Sequence, residues 1–358
     1  MVTPQRQLLT DQLPSPFPEG WYFVASRADI QRARLVRKVW MGEEIIGWCD
    51  DDGKICVAES HCPHLGSDLG PLAGGRVCQG RLICPFHGYE FDSSGRCVAT
   101  PYADPPSSAR LQVFDIQEIN GLIFAWYGID GRPPQWELHP DHPEVENWCS
   151  PAIHTFRFPG HPQETAENSV DLAHFRYVHG YGSFDRVGRI QVEGARLESC
   201  FNFRTVRKLA GLSAFTMDLS AVTNIFGLGY SFVQIREHSI GVDMRLWVLA
   251  TPVDGTLIDL TLVSQTREIR NPKRRIIGLG LLPVSWRAPI FNKFMAAQQK
   301  GDVLQDVAIW SRKRYRSRPR LCRSDGEIMP FRAYCAQFYP EPQDQSDIPS
   351  AGSHQVLR

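Results

Sequence analysis

Two short loops constrain this chain more than anything else in it: Cys62-Pro63-His64 and Cys84-Pro85-Phe86-His87, separated by a glycine-rich stretch from Gly66 to Gly80. Each loop offers one thiol and one imidazole. A single zinc ion usually takes both ligands of a knuckle, with about two to four residues between them. The one-residue spacer between Cys62 and His64 instead favours sending the two ligands to different metal ions. Cys62 and Cys84 then hold one iron while His64 and His87 hold the other, and a two-iron, two-sulfide cluster is the group that suits such a set.

That ligand set is the Rieske type of [2Fe-2S] cluster. Two neutral imidazoles replace two thiolates, which raises the potential to roughly −150 to +300 mV, against about −400 mV for an all-cysteine plant-type cluster. The site should therefore accept electrons readily. Ten cysteines in 358 residues are too sparse for a disulfide scaffold, and the cluster needs reduced thiols to assemble. The opening residues lack the apolar core and small-residue cleavage site of a signal peptide. The apolar run at residues 276–284 is about half the length needed to span a bilayer. A cytoplasmic protein without a membrane span is the expectation. Lysine plus arginine equals aspartate plus glutamate at 39 each, so net charge gives no reason to expect a nucleic-acid partner.

The order of segments predicts an α+β protein. Residues 1–17 are polar and proline-rich and read as an extended arm. Residues 18–130 carry short aromatic and β-branched runs at 21–25, 44–48, 54–58 and 122–127, separated by turns such as Asp51-Asp52-Gly53. They predict an all-β domain bearing the cluster. Residues 131–150, with Pro133-Pro134 and His139-Pro140-Asp141-His142-Pro143, read as a solvated linker, and the two histidines as incidental. Residues 151–340 open with a strand at 152–158 and a helix from about Gln163. Long alternating segments follow around 196–203, 230–235, 242–248 and 257–263, then a helical region from about Pro283 to Lys313. An antiparallel meander gripping a long helix, a helix-grip domain, is the simplest packing of these pieces. Residues 341–358 read as disordered tail.

The helical stretch Glu167-Asn168-Ser169-Val170-Asp171-Leu172-Ala173-His174, continuing to His179, offers a second metal site. Residues five apart on a straight helix point about 140° apart, so the helix must end or kink before His179 for both histidines to meet one iron. Gly180 and Gly182 permit that. Asp171 sits three residues before His174, on one helical face with it, placed to hold its second ring nitrogen through the carboxylate; Asn168 extends that face. Both are candidate catalytic residues. A facial triad also needs a carboxylate, and Asp302 and Asp306, one turn apart, both qualify by spacing.

Taken together, C-P-H with C-P-F-H-G, D-x-x-H-x4-H and a late Q-D-x-x-I-W resemble the Rieske non-heme iron oxygenases from about Pro16 to Tyr339. The likeness is greatest to the group of ketosteroid 9-alpha-hydroxylases and cholesterol 7-desaturases. It is carried by Pro16-Phe17-Pro18-Glu19-Gly20-Trp21, by residues 62–66, by 167–174 with Val178-His179-Gly180, and by 305–310 with Gln337-Phe338-Tyr339. Residues 306–310 also resemble aminopyrrolnitrin-type arylamine oxygenases. The resemblance implies Asp306 as the iron ligand with His174 and His179, and Asp302 as second choice. It implies a homotrimer in which Asp171 bridges His174 to His87 of the partner subunit. Tyr89 departs from the tryptophan that many relatives place after His-Gly, and Ser67 and Phe86 stand where respiratory Rieske proteins carry two further cysteines.

An oxygenase component so composed uses O2 and draws electrons from elsewhere. The segment Gly278-Leu279-Gly280-Leu281-Leu282-Pro283 fails as a dinucleotide loop, so a separate NAD(P)H-dependent flavin or iron-sulfur reductase, or a ferredoxin, is the expected partner. The basic run from Arg312 to Arg320 is a candidate docking face for it or an ordinary solvated face. Segments 225–229 and 279–283 are candidate pocket walls or, equally, core. The expected substrate is a bulky hydrophobic steroid-like molecule, with an aromatic compound or arylamine second. A Rieske electron carrier without catalysis is the rival from another class.

Overall fold

Short strands separated by tight turns build the first unit. They are β1 (Gly20–Ser26), β2 (Leu35–Trp40), β3 (Glu43–Cys49), β4 (Ile55–Glu59), β5 (Arg76–Cys78), β6 (Arg81–Ile83), β7 (Glu90–Phe91), β8 (Cys97–Ala99), β9 (Ile116–Ile119) and β10 (Leu122–Tyr127), with one short helix, α1 (Arg27–Ala33). The computed structural model describes residues 14–139, 147–209, 213–272 and 276–340. The strands form three small antiparallel sheets, ordered β1-β10-β9, β2-β3-β4 and β5-β6-β7-β8. Trp48, Leu69, Leu82 and Phe91 fill the core beneath the cysteine-histidine loops.

The second unit is one seven-stranded antiparallel sheet made of β11 (Ala152–Pro159), β12 (Ser183–Glu193), β13 (Arg196–Leu209), β14 (Ser213–Phe226), β15 (Tyr230–Glu237), β16 (Val242–Pro252) and β17 (Leu257–Thr266). Its order, β11-β17-β16-β15-β14-β13-β12, is the expected meander with its first strand returned beside the last. Two short helices, α2 (Pro162–Glu167) and α3 (Leu172–Tyr177), precede β12, and the long α4 (Val284–Trp310) and short α5 (Ile328–Cys335) follow the sheet. Asn292 ties α4 to β17: its Nδ2 donates to the Ser264 carbonyl at 3.0 Å and its Oδ1 accepts from Thr266 Oγ1 at 3.2 Å. With both partners satisfied, this buried amide fixes the height of α4 over the sheet.

The two units share a core. Trp21, Phe23, Phe124 and Trp126 of β1 and β10 pack on Tyr230, Phe232, Trp247 and Leu249. Most described residues of the proline-rich connector are exposed, as expected of a solvated linker, but Trp136 and Leu138 join this core. Leu138 is only 3% exposed. The Trp21 indole donates to the Trp136 carbonyl at 2.8 Å, and the Trp136 ring lies 4.6 Å from that of Trp126. For these two residues composition points the wrong way because two aromatic anchors outweigh local polarity. His139 is exposed as expected, while His142 and the tail 341–358 lie outside the described residues. Of the arm, residues 14–17 are described, and they dock: Phe17 packs near Tyr127, and the Ser15 carbonyl sits 3.1 Å from His161 Nε2. Among the described residues, no helix is long and apolar enough to cross a membrane.

His161 also caps α2, its Nδ1 accepting from the Gln163 amide at 3.1 Å. Burial pushes its imidazole down to about 4, well below the ordinary 6.5. The folded state thus favours the neutral ring, so its contribution is whole above pH 6.5 and is lost as pH falls toward 4. A shift of this size corresponds to about 3 kcal/mol. Melting temperature measured from pH 7 to 4 is expected to fall less steeply in His161→Asn, which keeps a capping acceptor but cannot titrate. Parallel curves for variant and wild type would contradict this.

Candidate metal centres

The two cysteine-histidine loops fold alike. Cys62 donates its amide to the Ser67 carbonyl at 2.9 Å and Cys84 donates its amide to the Tyr89 carbonyl at 2.9 Å; each also accepts at its own carbonyl from the glycine four residues on, Gly66 and Gly88. Both glycines are left-handed, φ 74° and 68°. A side chain at Gly88 would also strike Pro101 at 2.7 Å, so the second loop requires glycine twice over. Paired in this way, the loops bring their side chains together: the rings of His64 and His87 lie 4.7 Å apart, and both cysteines are buried.

These side chains fit an iron-sulfur cluster. His64 Nδ1 is buried with no hydrogen-bond partner, an orphan that a metal ion would satisfy. Burial, reinforced by the neighbouring Cys84, pushes the Cys62 thiol up to about 12, so thiolates here call for a bound cation. All ten cysteines are unpaired. Tyr89, where tryptophan was the family expectation, stacks on His64 at 4.5 Å with the rings 10° from parallel. Leu65, Leu72, Phe86 and Tyr102 around the loops are exposed, an apolar rim on this end of the unit.

In the second unit, three donors converge. One ligand atom each from His174, His179 and Asp306 lies within 4.8 Å of the others. Helix α3 ends at Tyr177 and Gly180 turns left-handed at φ 65°, which swings His179 back toward His174 as the spacing requires. Their rings sit 5.3 Å apart at 80°. Asp306 Oδ2 lies 3.3 Å from His179 Nε2, while Asp302, the alternative carboxylate, accepts from the Tyr181 hydroxyl at 3.1 Å.

The positions of Asp171 and Asn168 differ from the single-helix expectation. Helix α2 stops at Glu167, Asn168 caps it, and the chain makes turns before α3 starts. Asp171 is therefore the N-cap of α3, its Oδ1 accepting from Ala173 N at 3.1 Å and His174 N at 3.4 Å. The second nitrogen of His174 is held by the Asp171 main-chain carbonyl, 2.6 Å from Nδ1, and not by the carboxylate. An aspartate at this spot competes better as a cap than as a helical residue. Asn168 lines the cavity above the triad.

Both histidines are oriented for metal. His174 Nδ1–H donates to that carbonyl, and Gln305 Oε1, 3.1 Å from His179 Nδ1, accepts the proton there. The outer hydrogen bond orients each ring and turns its Nε2 toward the metal position, where that of His179 lies 3.3 Å from Asp306 Oδ2. Burial pushes the His174 imidazole down despite the Asp306 and Asp171 carboxylates. For His179 burial acts the same way, but the hydrogen bond and charge of Asp306 outweigh it and raise the group. Sequence reasoning passed over Gln305 and Tyr181 as site residues; the place of Gln305 beside Asp306 in the Q-D-x-x-I-W motif is a signal for the first, and none exists for the second.

A cavity opens over the triad. Phe201, Ile225, Leu228, Met244, Leu246 and Trp310 are among its walls. The 225–229 segment thus supplies two wall residues, whereas 279–283 supplies none and Leu281 is exposed. In the basic run Lys313 turns inward to Glu164 and Glu167, at 3.1 and 3.3 Å, while Arg312, Arg314, Arg318 and Arg320 are exposed.

Comparison with known proteins agrees with this architecture. Residues 20–117 match the Rieske [2Fe-2S] domain, and residues 125–339 match the 3-ketosteroid 9alpha-hydroxylase C-terminal domain. A cholesterol 7-desaturase of Hemicentrotus pulcherrimus is 30% identical over 94% of this chain and 73% of its own length. One from Ciona intestinalis is 29% identical over 94% and 72%. A 3-ketosteroid-9-alpha-monooxygenase oxygenase component of Rhodococcus rhodochrous is 26% identical over 92% and 86%. Among solved structures, dicamba monooxygenase bound to dicamba superposes with a TM-score of 0.66 at 16% identity, covering 89% of this chain and 96% of that one. The chain belongs to the Rieske-type oxygenases with a catalytic domain of the 3-ketosteroid 9alpha-hydroxylase family, oxidoreductases that work with a [2Fe-2S] cluster and a mononuclear iron.

Proposed function

We propose that this oxygenase component hydroxylates or desaturates a sterol- or steroid-like polycycle. Cys62, His64, Cys84 and His87 are the cluster ligands in this reading, and His174, His179 and Asp306 the ligands of the mononuclear iron. The observation that carries it is the convergence of those last three side chains at an apolar cavity whose relatives include cholesterol 7-desaturases and a 3-ketosteroid monooxygenase component.

The bound groups supply activation of O2 with single electrons passed through the cluster. The chain's own residues do the rest. Asp171 and Gln305 fix the two imidazoles with Nε2 toward the metal position. Phe201, Leu246, Trp310 and their neighbours desolvate the substrate and exclude water from the reacting carbon. O2, two electrons and two protons turn a C–H bond into C–OH with one water released; withdrawing two hydrogens instead gives an alkene and two waters. Asn168, on the cavity wall, positions the substrate.

Electrons come from a separate NAD(P)H-dependent reductase or ferredoxin, since the chain carries no dinucleotide loop of its own. The apolar rim of Leu65, Leu72, Phe86 and Tyr102 supports a homotrimer in which the cluster end meets a neighbour, with Asp171 bridging toward His87 of the partner subunit. Ten unpaired thiols support a reducing, cytoplasmic setting.

Holoenzyme supplied with NADH, a surrogate flavin/iron-sulfur reductase and either cholesterol or a 3-ketosteroid tests the function. The expected product has gained one oxygen or lost two hydrogens, with O2 uptake dependent on the polycycle. Turnover of arylamines with no attack on either polycycle would favour the aromatic alternative.

A further inference from the structure

The outward side of α4 mixes large apolar residues with lysines. Trp286, Ile290, Lys293, Ala297, Lys300 and Leu304 follow at spacings of four and three, so they share one stripe along the helix, and all six are exposed. Trp286 is 60% exposed, and Leu281, in the turn that leads into the helix, is 82% exposed. Single apolar residues on a surface are ordinary, but a tryptophan, an isoleucine and a leucine together at one helix end mark a contact surface.

The turn is built to present its leucine. The Arg287 guanidinium donates to four carbonyls, those of Leu282 at 2.8 Å, Arg270 at 2.6 Å, Gly280 at 3.1 Å and Ile269 at 3.3 Å. Leu279 and Leu282 pack inward, while Leu281 between them faces water. The cluster they join also holds Phe291, Leu219, Met244 and Met295, and the last three of these line the metal cavity. An unbroken apolar cluster thus runs from beneath the exposed face to the cavity wall.

Charge distinguishes what can cover this face. Residues 271–301 hold six lysines and arginines and no aspartate or glutamate, in a chain whose two signs balance at 39 each. Arg287 is spent on the turn, whereas Lys293 and Lys300 stand exposed among the apolar members of the stripe. A two-fold contact with a second copy would set cations against cations. An anionic lipid surface satisfies both kinds of residue, since apolar side chains enter the headgroup boundary while lysines reach the phosphates.

We propose that the outward face of α4, with the turn before it, docks on an anionic bilayer surface, from which the oxygenase takes an apolar polycycle into the adjacent cavity. Delivery of the polycycle rests on reading the cavity as a sterol or steroid site. Docking is measured without substrate, so the two fail separately.

The test is co-sedimentation of holoenzyme with phosphatidylcholine vesicles that contain about one-third phosphatidylglycerol, or none. Wild type is expected to bind the anionic vesicles at least about tenfold more strongly, and high salt should release it. Leu281→Glu with Trp286→Glu should lower binding at least about tenfold, and Lys293→Gln with Lys300→Gln should lower it about tenfold and flatten the salt dependence. Iron content and melting temperature equal to wild type show that both variants are folded. No binding by wild type, or equal binding by the glutamate variant, would overturn docking and leave the sterol reading standing; a change of oligomeric state in that variant would then assign the face to a second copy. For delivery, turnover of cholesterol carried in the anionic vesicles should fall at least about fivefold in the glutamate variant, with turnover of cyclodextrin-borne cholesterol unchanged. Equal turnover of vesicle cholesterol by variant and wild type would overturn delivery. Turnover of neither form by wild type would overturn delivery together with the sterol reading, while the vesicle result still decides docking.

Discussion

Alanine at Asp306 is expected to strip the mononuclear iron, leave the Rieske spectrum intact and lower turnover by more than about a thousandfold. Asp306 is buried beside His179 and contributes the carboxylate of the three converging donors, so its removal leaves two neutral imidazoles and no anionic ligand for ferrous iron. Asp302→Asn is the informative control. It weakens an anchor of Tyr181 but leaves all three donors in place, and its iron content is expected to match wild type, with activity within about tenfold. Iron analysis and steady-state rates on both variants separate the two acids. Iron loss in Asp302→Asn with retention in Asp306→Ala would reverse the assignment.

The second large effect belongs to Asp171. Its carboxylate caps α3, a role asparagine performs equally well, and its main-chain carbonyl holds His174 whatever the side chain. Asp171→Asn should therefore keep fold, iron and cluster, yet, on the proposed trimer in which Asp171 bridges toward the partner's His87, lower turnover by at least about a hundredfold. Stopped-flow reduction of the cluster should run at the wild-type rate while its reoxidation in the presence of substrate and O2 slows. Reoxidation at the wild-type rate would show that electrons take another path. Asp171→Ala, which also loses the cap, adds a stability defect of about 1 kcal/mol that the asparagine variant lacks.

The parts of this protein that were legible in its sequence are those where one residue type has few substitutes. Two loops that each offer a thiol and an imidazole were legible as one site, and the structure brings their side chains together, with the His64 and His87 rings 4.7 Å apart and both cysteines buried. The break before His179 was legible for the same reason, since two histidines five apart meet only if the helix stops.

Strands β12 and β14 were not read from the pattern. Most of β12 is exposed or half-buried, and the cavity-facing row of β14, Leu219, Ala221, Thr223 and Ile225, includes a small residue and a polar one, which weakens its apolar signal. The connector misled in the opposite direction, its prolines hiding the packing of Trp136 and Leu138. Spacing did not choose between Asp302 and Asp306, which share one helix face; the resemblance implied Asp306, and in the structure it lies 3.3 Å from His179 while Asp302 accepts from Tyr181. The carbonyl at His174 was hidden because a side-chain spacing says nothing about which main-chain atoms a cap leaves free.

The most direct measurement is iron and acid-labile sulfide per chain on anaerobically purified wild type and His174→Ala, with an EPR spectrum of the reduced proteins. The two-centre account predicts about three irons and about two sulfides in wild type, and about two irons with an unaltered Rieske signal in the variant. About two irons in both proteins would contradict it, leaving a cluster without a catalytic metal and a chain that carries electrons instead of using them.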